Sequence, residues 1–256
     1  MIAEPAVLTE RRGRVLVVTI NRPDQRNAVN GAVAEGIAAA LDELDGDAEL
    51  AVGVLTGAGK GFSAGMDLKA FVAGESPYAG DRGFAGITQR ASAKPLLAAV
   101  EGFAVAGGLE IALSCDLIVA SRGTRLGIPE VKRSLVAAAG ALLRLPRVLP
   151  RGVAMELALT GDPIDAERAH ELGLVNRLTD PGQALDAALE LAEAIAANGP
   201  LALAATKLVL TESVDWPEAE FFERQGKIVG PVMASEDARE GATAFAEKRA
   251  PVWKGR

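Results

Sequence analysis

Lys94-Pro95-Leu96-Leu97-Ala98-Ala99-Val100-Glu101-Gly102 opens a stretch that runs through Ala106-Gly107-Gly108-Leu109-Glu110 and closes on Gly127-Ile128-Pro129-Glu130. Its first part is an apolar run of strand length, stopped by a small-residue turn. The turn feeds a helix that carries one carboxylate, Glu110, on its first turn. A second apolar strand, Cys115 to Ala120, leads to another carboxylate, Glu130, directly after a proline. Strand, turn, helix and strand in this order predict an α/β fold.

Composition narrows the function. The chain has 256 residues, 49% of them hydrophobic and 24% charged, enough to bury a large core. Thirty-four acids against 27 bases give a net charge of -7. No basic run is present, which argues against a nucleic-acid partner and leaves an anionic ligand dependent on a local cluster of Arg or Lys. Met1-Ile2-Ala3-Glu4-Pro5 lacks a basic-then-apolar signal pattern, and no apolar window reaches about 18 residues, so no membrane span is expected. Cys115 is the single cysteine and His170 the single histidine. An intrachain disulfide is excluded, a Cys/His metal site is close to excluded, and a reducing cytoplasm is the expected compartment.

Outward from the central stretch, Arg14 to Ile20 reads as a strand and Asn21 to Ala28 as a Pro- and Asx-rich turn. Asn30 is placed to cap a helix over Gly31 to Asp45. Ala51 to Thr56 is a further buried strand. Gly61-Phe62-Ser63-Ala64-Gly65-Met66-Asp67-Leu68-Lys69 is a second small-residue turn entering a helix. Residues 71–86, with Gly74, Gly80, Gly83 and Gly86 around Pro77-Tyr78, read as mobile loop, followed by a short helix to Ala93. Helices are predicted over Gly140 to Leu149, Gly152 to Leu159 and Asp165 to Leu172, the last ending at Gly173 as its C-cap. A strand at Leu174 to Leu178 and a long helix from Pro181 to Asn198 complete a body of residues 1–198. Residues 199–256 are expected to be all helix, near Leu201 to Glu212, Pro217 to Ile228 and Ser235 to Lys248.

Two turns share one pattern: Phe62-Ser63-Ala64-Gly65-Met66 and Val105-Ala106-Gly107-Gly108 each join a strand to a helix start. Such turns leave backbone N–H groups without an intrahelical partner, and two of them aimed at one carbonyl oxygen stabilise an oxyanion or enolate. Each turn alone is equally a device for tight packing. Glu110 lies among Leu109, Ile111, Ala112 and Leu113, where an unpartnered carboxylate is costly. Glu130 alone reads as a helix-start acid. The pair, with backbone donors nearby, suggests acid/base chemistry with one carboxyl kept protonated. Gly57-Ala58-Gly59-Lys60-Gly61 lacks the spacing and the Ser/Thr of a phosphate loop, and Gly102 to Gly107 is not a dinucleotide fingerprint. His170 and Cys115 read as structural.

These residues together resemble the crotonase superfamily, specifically enoyl-CoA hydratases/isomerases, over about Val15 to Trp253. Asn21-Arg22-Pro23 with Asn27-Ala28, Leu55-Thr56-Gly57, Cys115-Asp116, Leu159-Thr160-Gly161 and Glu240-Gly241 add to the motifs above. The resemblance implies a spiral of ββα turns, residues 1–198, with a helical C-terminal region, residues 199–256, that drives assembly into a homotrimer or a homohexamer built as a dimer of trimers. It implies an oxyanion hole from the N–H groups of Met66 and Gly107, with Glu110 activating water and Glu130 protonating Cα. Coenzyme A would enter as part of the substrate, with no other cofactor. Ala64 would face the adenine, Arg26 and Lys69 the phosphates, and Phe245 and Lys248 a neighbouring subunit's ligand. Two rival readings remain: an enoyl-CoA isomerase using Glu130 alone, and a non-catalytic acyl-CoA-binding homologue. One departure feeds the second. Where hydratases carry Gly-x-x-Pro-Gly-x-Gly-Gly, this chain has Ser134-Leu135-Val136-Ala137-Ala138-Ala139-Gly140-Ala141. Ala138 stands where an N–H helps hold the water, and a positive φ there would be harder for alanine than for glycine. Water placement is therefore expected to be perturbed.

Overall fold

The structure, a computed structural model, describes residues 4–256, so Met1 to Ala3 of the segment read for a signal pattern lie outside it. A six-stranded sheet forms the frame, with strand order β1 (Val7–Arg12), β2 (Val15–Ile20), β3 (Val52–Gly57), β4 (Leu96–Val100), β6 (Leu117–Ser121) and β9 (Arg177–Thr179). The first pair is antiparallel and the others are parallel. A smaller sheet joins β5 (Phe103–Val105), β7 (Arg125–Gly127) and β8 (Ile164–Asp165). Ser63 adds a single parallel bridge to this sheet through Ala104.

The chain repeats one unit. β1 and β2 lead to α1 (Gly31–Gly46); β4 and β5 lead to α3 (Gly107–Ala112). An abbreviated copy runs from β3 through the Ser63 bridge to α2 (Leu68–Val72), and β6 and β7 lead to a helical turn over Pro129–Arg133. In the first unit both strands lie in the large sheet; in the later units the first strand lies in the large sheet and the second along the small one. This is the ββα spiral expected from the sequence.

Both faces of the central strands are buried, which is why they read as continuous apolar runs rather than alternating ones. One face, including Leu16, Val18, Leu55 and Leu96, packs with Val33, Ile37 and Leu41 of α1. The other, including Val17, Val54, Leu97 and Val119, packs under α7 (Ala184–Ala196), whose Ala188, Ala192 and Ala196 let it approach closely. Asn30 caps α1 as expected, its side chain accepting from the Val33 N–H at 3.2 Å. α4 (Ala141–Val148) and α5 (Arg151–Thr160) meet at Pro150, and Asp165 caps α6 (Ala166–Glu171). α8 (Pro200–Glu212), α9 (Phe221–Met233) and α10 (Glu236–Glu247) form the C-terminal layer. α8 and α9 bury no residue, and Leu210, Phe222, Met233 and Phe245 are exposed. Among the described residues, no single helix is long and apolar enough to cross a membrane.

Several expectations are corrected. No helix forms between Arg82 and Ala93; instead the Asp45 carboxylate accepts from Ser92 Oγ and from the N–H groups of Ala93 and Lys94. The segment 71–86 is not simply loop. α2 occupies its start, and Arg82, fully buried, ties it to Asp42 at 2.6 Å and to the Arg90 carbonyl at 2.9 Å. The strand expected at Leu174 to Leu178 is confined to Arg177–Thr179, while Leu174 and Val175 join the core.

Candidate active site

The two small-residue turns meet. Val29 donates to the Gly65 carbonyl at 2.8 Å and accepts from the Asp67 N–H at 2.9 Å. In such a parallel bridge the residue between, Met66, points its own N–H the other way. Gly107 is the first residue of α3, and Ala106 before it offers no side-chain cap. Ala106 sits at φ 52°, ψ -132°, a region that non-glycine residues rarely adopt, and this strain sets the direction of the next peptide. Among the described residues neither the Met66 nor the Gly107 N–H has an acceptor. Gly65, at φ 87°, makes the approach possible: a Cβ there would lie 2.7 Å from the Gly107 nitrogen.

Glu110, one turn into α3, is 3% exposed. Its Oε1 accepts from the Ala139 N–H at 2.8 Å and the Ala141 N–H at 3.0 Å. Burial raises its carboxyl above the ordinary value, and the two N–H groups and the charge of Arg144 pull it back. Glu130 lies on the turn Pro129–Arg133. Burial raises this carboxyl too, reinforced by the neighbouring Glu110, while its own backbone N–H and Arg133 oppose the shift. Its Oε2 is buried without a hydrogen-bond partner. The two carboxyls are thus inequivalent: donors favour the anion at Glu110, and an orphan oxygen favours the protonated form at Glu130.

The perturbation expected at Ala138 does not follow from its backbone. Ala138 keeps a negative φ, and the positive φ falls on Gly140, at 109°. The alanine-rich segment holds Glu110 itself, through Ala139 and Ala141.

Both carboxylates, Met66 and Gly107 line one cleft of about 1050 Å³. Arg26, Ala64 and Lys69 line it as well. Arg22 and Asp67, also in its wall, are paired at 3.0 Å, and Arg22 further donates to the Ala28 carbonyl at 2.6 Å. The Ala70 N–H, then Arg22, hold the Asp67 carboxyl below its ordinary value. Arg26 and Lys69 have no ion-pair partner among the described residues. Phe245 and Lys248 do not line the cleft of their own chain; they lie at the C-terminal end of α10, Phe245 being 88% exposed.

His170 Nδ1 bonds the Val175 carbonyl at 2.8 Å, away from the cleft, and burial pushes the Cys115 thiol well above its usual range. No group of three or more His, Cys, Asp or Glu among the described residues could hold a metal. Sequence reasoning missed Ala139, Ala141 and Arg144. The first two act through backbone and leave no side-chain mark; Arg144 could have been found as a cation one turn after Gly140, among leucines.

The description Enoyl-CoA hydratase/isomerase matches residues 10–256. Enoyl-CoA hydratase EchA19 of Mycobacterium tuberculosis is 45% identical, over 98% of this chain and 97% of its own. Carnitinyl-CoA dehydratase of Salmonella typhi is 42% identical, over 96% of this chain and 97% of its own. The crystal structure of enoyl-CoA hydratase EchA1 from Mycobacterium marinum superposes with a TM-score of 0.97 at 60% identity, covering 99% of this chain and 100% of that one.

Proposed function

We propose, from the premise that this chain belongs to the enoyl-CoA hydratase/isomerase family, that Glu110 and Glu130 are the base and acid by which it adds water to a trans-2-enoyl-CoA thioester. The chain is a lyase of enoyl-CoA thioesters, acting by hydration or the reverse dehydration.

The observation that carries the assignment is the inequivalence of the two carboxyls in the cleft that also holds the free N–H groups of Met66 and Gly107. Glu110, in its anionic form, takes a proton from water as the water oxygen bonds Cβ. The double-bond electrons move through Cα to the thioester oxygen, which accepts from Met66 and Gly107. Those donors are oriented before the charge develops, so little reorganisation accompanies the step. Glu130 then delivers its proton to Cα, and the thioester carbonyl re-forms. Every proton and electron pair is accounted for by thioester, water and two carboxyls. The reverse sequence expels water from a 3-hydroxyacyl thioester.

Arg26 and Lys69, without ion-pair partners among the described residues, suit the phosphates of coenzyme A. The Ala64 N–H is already donated to the Arg26 carbonyl at 3.0 Å, which leaves the Ala64 carbonyl to accept from the adenine amino group. Phe245 and Lys248 serve a neighbouring subunit's ligand. The exposed apolar residues of α8 to α10 support assembly of residues 199–256 into a homotrimer or dimer of trimers.

The test is Glu110→Gln, followed by loss of conjugation in an enoyl-CoA substrate. Gln keeps an acceptor for Ala139 and Ala141 but removes the base, and the rate should fall at least about 100-fold. Hydration at the normal rate would remove Glu110 from the mechanism.

A further inference from the structure

Residues 136–139, the segment that positions Glu110, take part in no backbone–backbone hydrogen bond among the described residues. Besides the Glu110 carboxyl, which accepts from the Ala139 N–H, one side chain tethers them among the described residues. Arg144 Nη1 donates to the Ala139 carbonyl at 3.3 Å, and Nη2 donates to the Thr88 carbonyl at 2.6 Å. Thr88 is buried and belongs to the segment that carries the cleft residue Phe84. A single guanidinium therefore joins the two stretches of backbone on either side of the Glu110 site. It lies against Gly140, where a Cβ would come within 1.9 Å of Nη1 and displace it.

Arg144 does not line the cleft, and no carboxylate of the described residues lies within the 4.0 Å of an ion pair. Its path to Glu110 runs through one peptide: the guanidinium holds the carbonyl of residue 139, whose own N–H is donated to Glu110 Oε1 at 2.8 Å. A planar fork suits two carbonyls at once; an ammonium does not reproduce that geometry.

We propose that Arg144 is the positioning residue of the hydration reaction, fixing the general base through the Ala139 peptide. The inference rests on the assignment of Glu110 as base. The charged and titratable groups around Glu110 are few. Glu130 faces it from the turn Pro129–Arg133, with Arg133 beside Glu130; Arg144 faces it from α4, with Arg147 and the Cys115 thiol in Arg144's own surroundings. Arg144 is the cation that opposes the burial of Glu110. Without it the carboxyl protonates at higher pH, and the acid limb of kcat/KM moves up.

The experiment compares Arg144→Met and Arg144→Lys with the parent and with Glu110→Gln. Arg144→Met should lower kcat roughly ten- to a hundred-fold, as a base out of register does, with KM nearly unchanged and the acid limb displaced to higher pH. Arg144→Lys should return the acid limb toward its parent position while kcat stays low, because charge is restored and the double tether is not. If Arg144→Met does not fold, Arg144→Gln takes its place with the same limb displacement expected. Parent-like kcat, a reduced kcat with an unmoved acid limb, or an effect confined to KM would each overturn the inference. Failure of the underlying assignment shows separately, as undiminished hydration by Glu110→Gln.

Discussion

Gly65→Ala tests the convergence of the two turns, because the methyl group has nowhere to go. Built on the existing backbone, the new Cβ lies 2.7 Å from the Gly107 nitrogen, 3.1 Å from the Ala106 Cβ and 3.2 Å from the Val105 carbonyl oxygen. Two costs follow. An alanine at φ 87° carries about 1–2 kcal/mol of left-handed strain. Overpacking a closed contact adds about 1–3 kcal/mol. The overlap is relieved by moving one turn away from the other, so the Met66 and Gly107 N–H groups no longer meet at one oxygen. Loss of one such donor lowers kcat by about 10²–10³. Since the donors act on charge that develops in the transition state, kcat and kcat/KM should fall together. Steady-state hydration rates and a thermal melt separate the two effects: reduced melting temperature and a rate loss of that size are expected. A folded variant with kcat within about threefold of the parent would refute the pairing of these donors.

Two further outcomes concern stability. The Glu130 carboxyl is raised above its ordinary 4.5, so its burial favours folding below 4.5 and that contribution is lost as pH rises through the raised value. Glu130→Gln should therefore melt higher than the parent near neutral pH, with the gain shrinking to nothing as pH falls below 4.5 in melts across that range; a constant gain would contradict the assignment. Ser134 adopts φ 56° with its hydroxyl unbonded among the described residues, so Ser134→Gly should gain about 0.5–1 kcal/mol, read as a rise of about 1–4 °C, and an unchanged or lower melting temperature would show no strain there.

What the sequence revealed of this fold follows from where signals are local. Asn30, Asp165 and Ser235 mark helix starts by their side chains, and each accepts the N–H three residues on. β2, β3 and β4 were legible because they are buried on both faces. β1 was not, since Val-Leu-Thr-Glu-Arg-Arg is an edge strand with almost every residue exposed and no alternation to read. β5 and β7, three residues each, exist only through pairing, with one another and with β8 and Ser63. The segment before Ala93 misled because its partners, Asp42 and Asp45, lie on α1, far away in sequence.

The site divides along the same line. Glu110 and Glu130 stood out against their neighbours in the sequence, and the family resemblance implied the Met66 and Gly107 donors and the roles of the two glutamates, but the physical difference between the two carboxyls could not be read, because it is made by peptide groups. The Met66 and Gly107 donors and the Ala139 and Ala141 donors are all backbone N–H groups, which any residue but proline supplies. These donors then do not depend on side-chain identity so long as the path of the chain is kept, although Ala141 is itself fully buried in the core. That path needs a positive φ at residue 140, where a glycine stands, and none at residue 138, where an alanine does. The alanine run after Glu130 thus preserves the hold on Glu110, and the demand that remains falls on Gly140 and on the guanidinium resting against it.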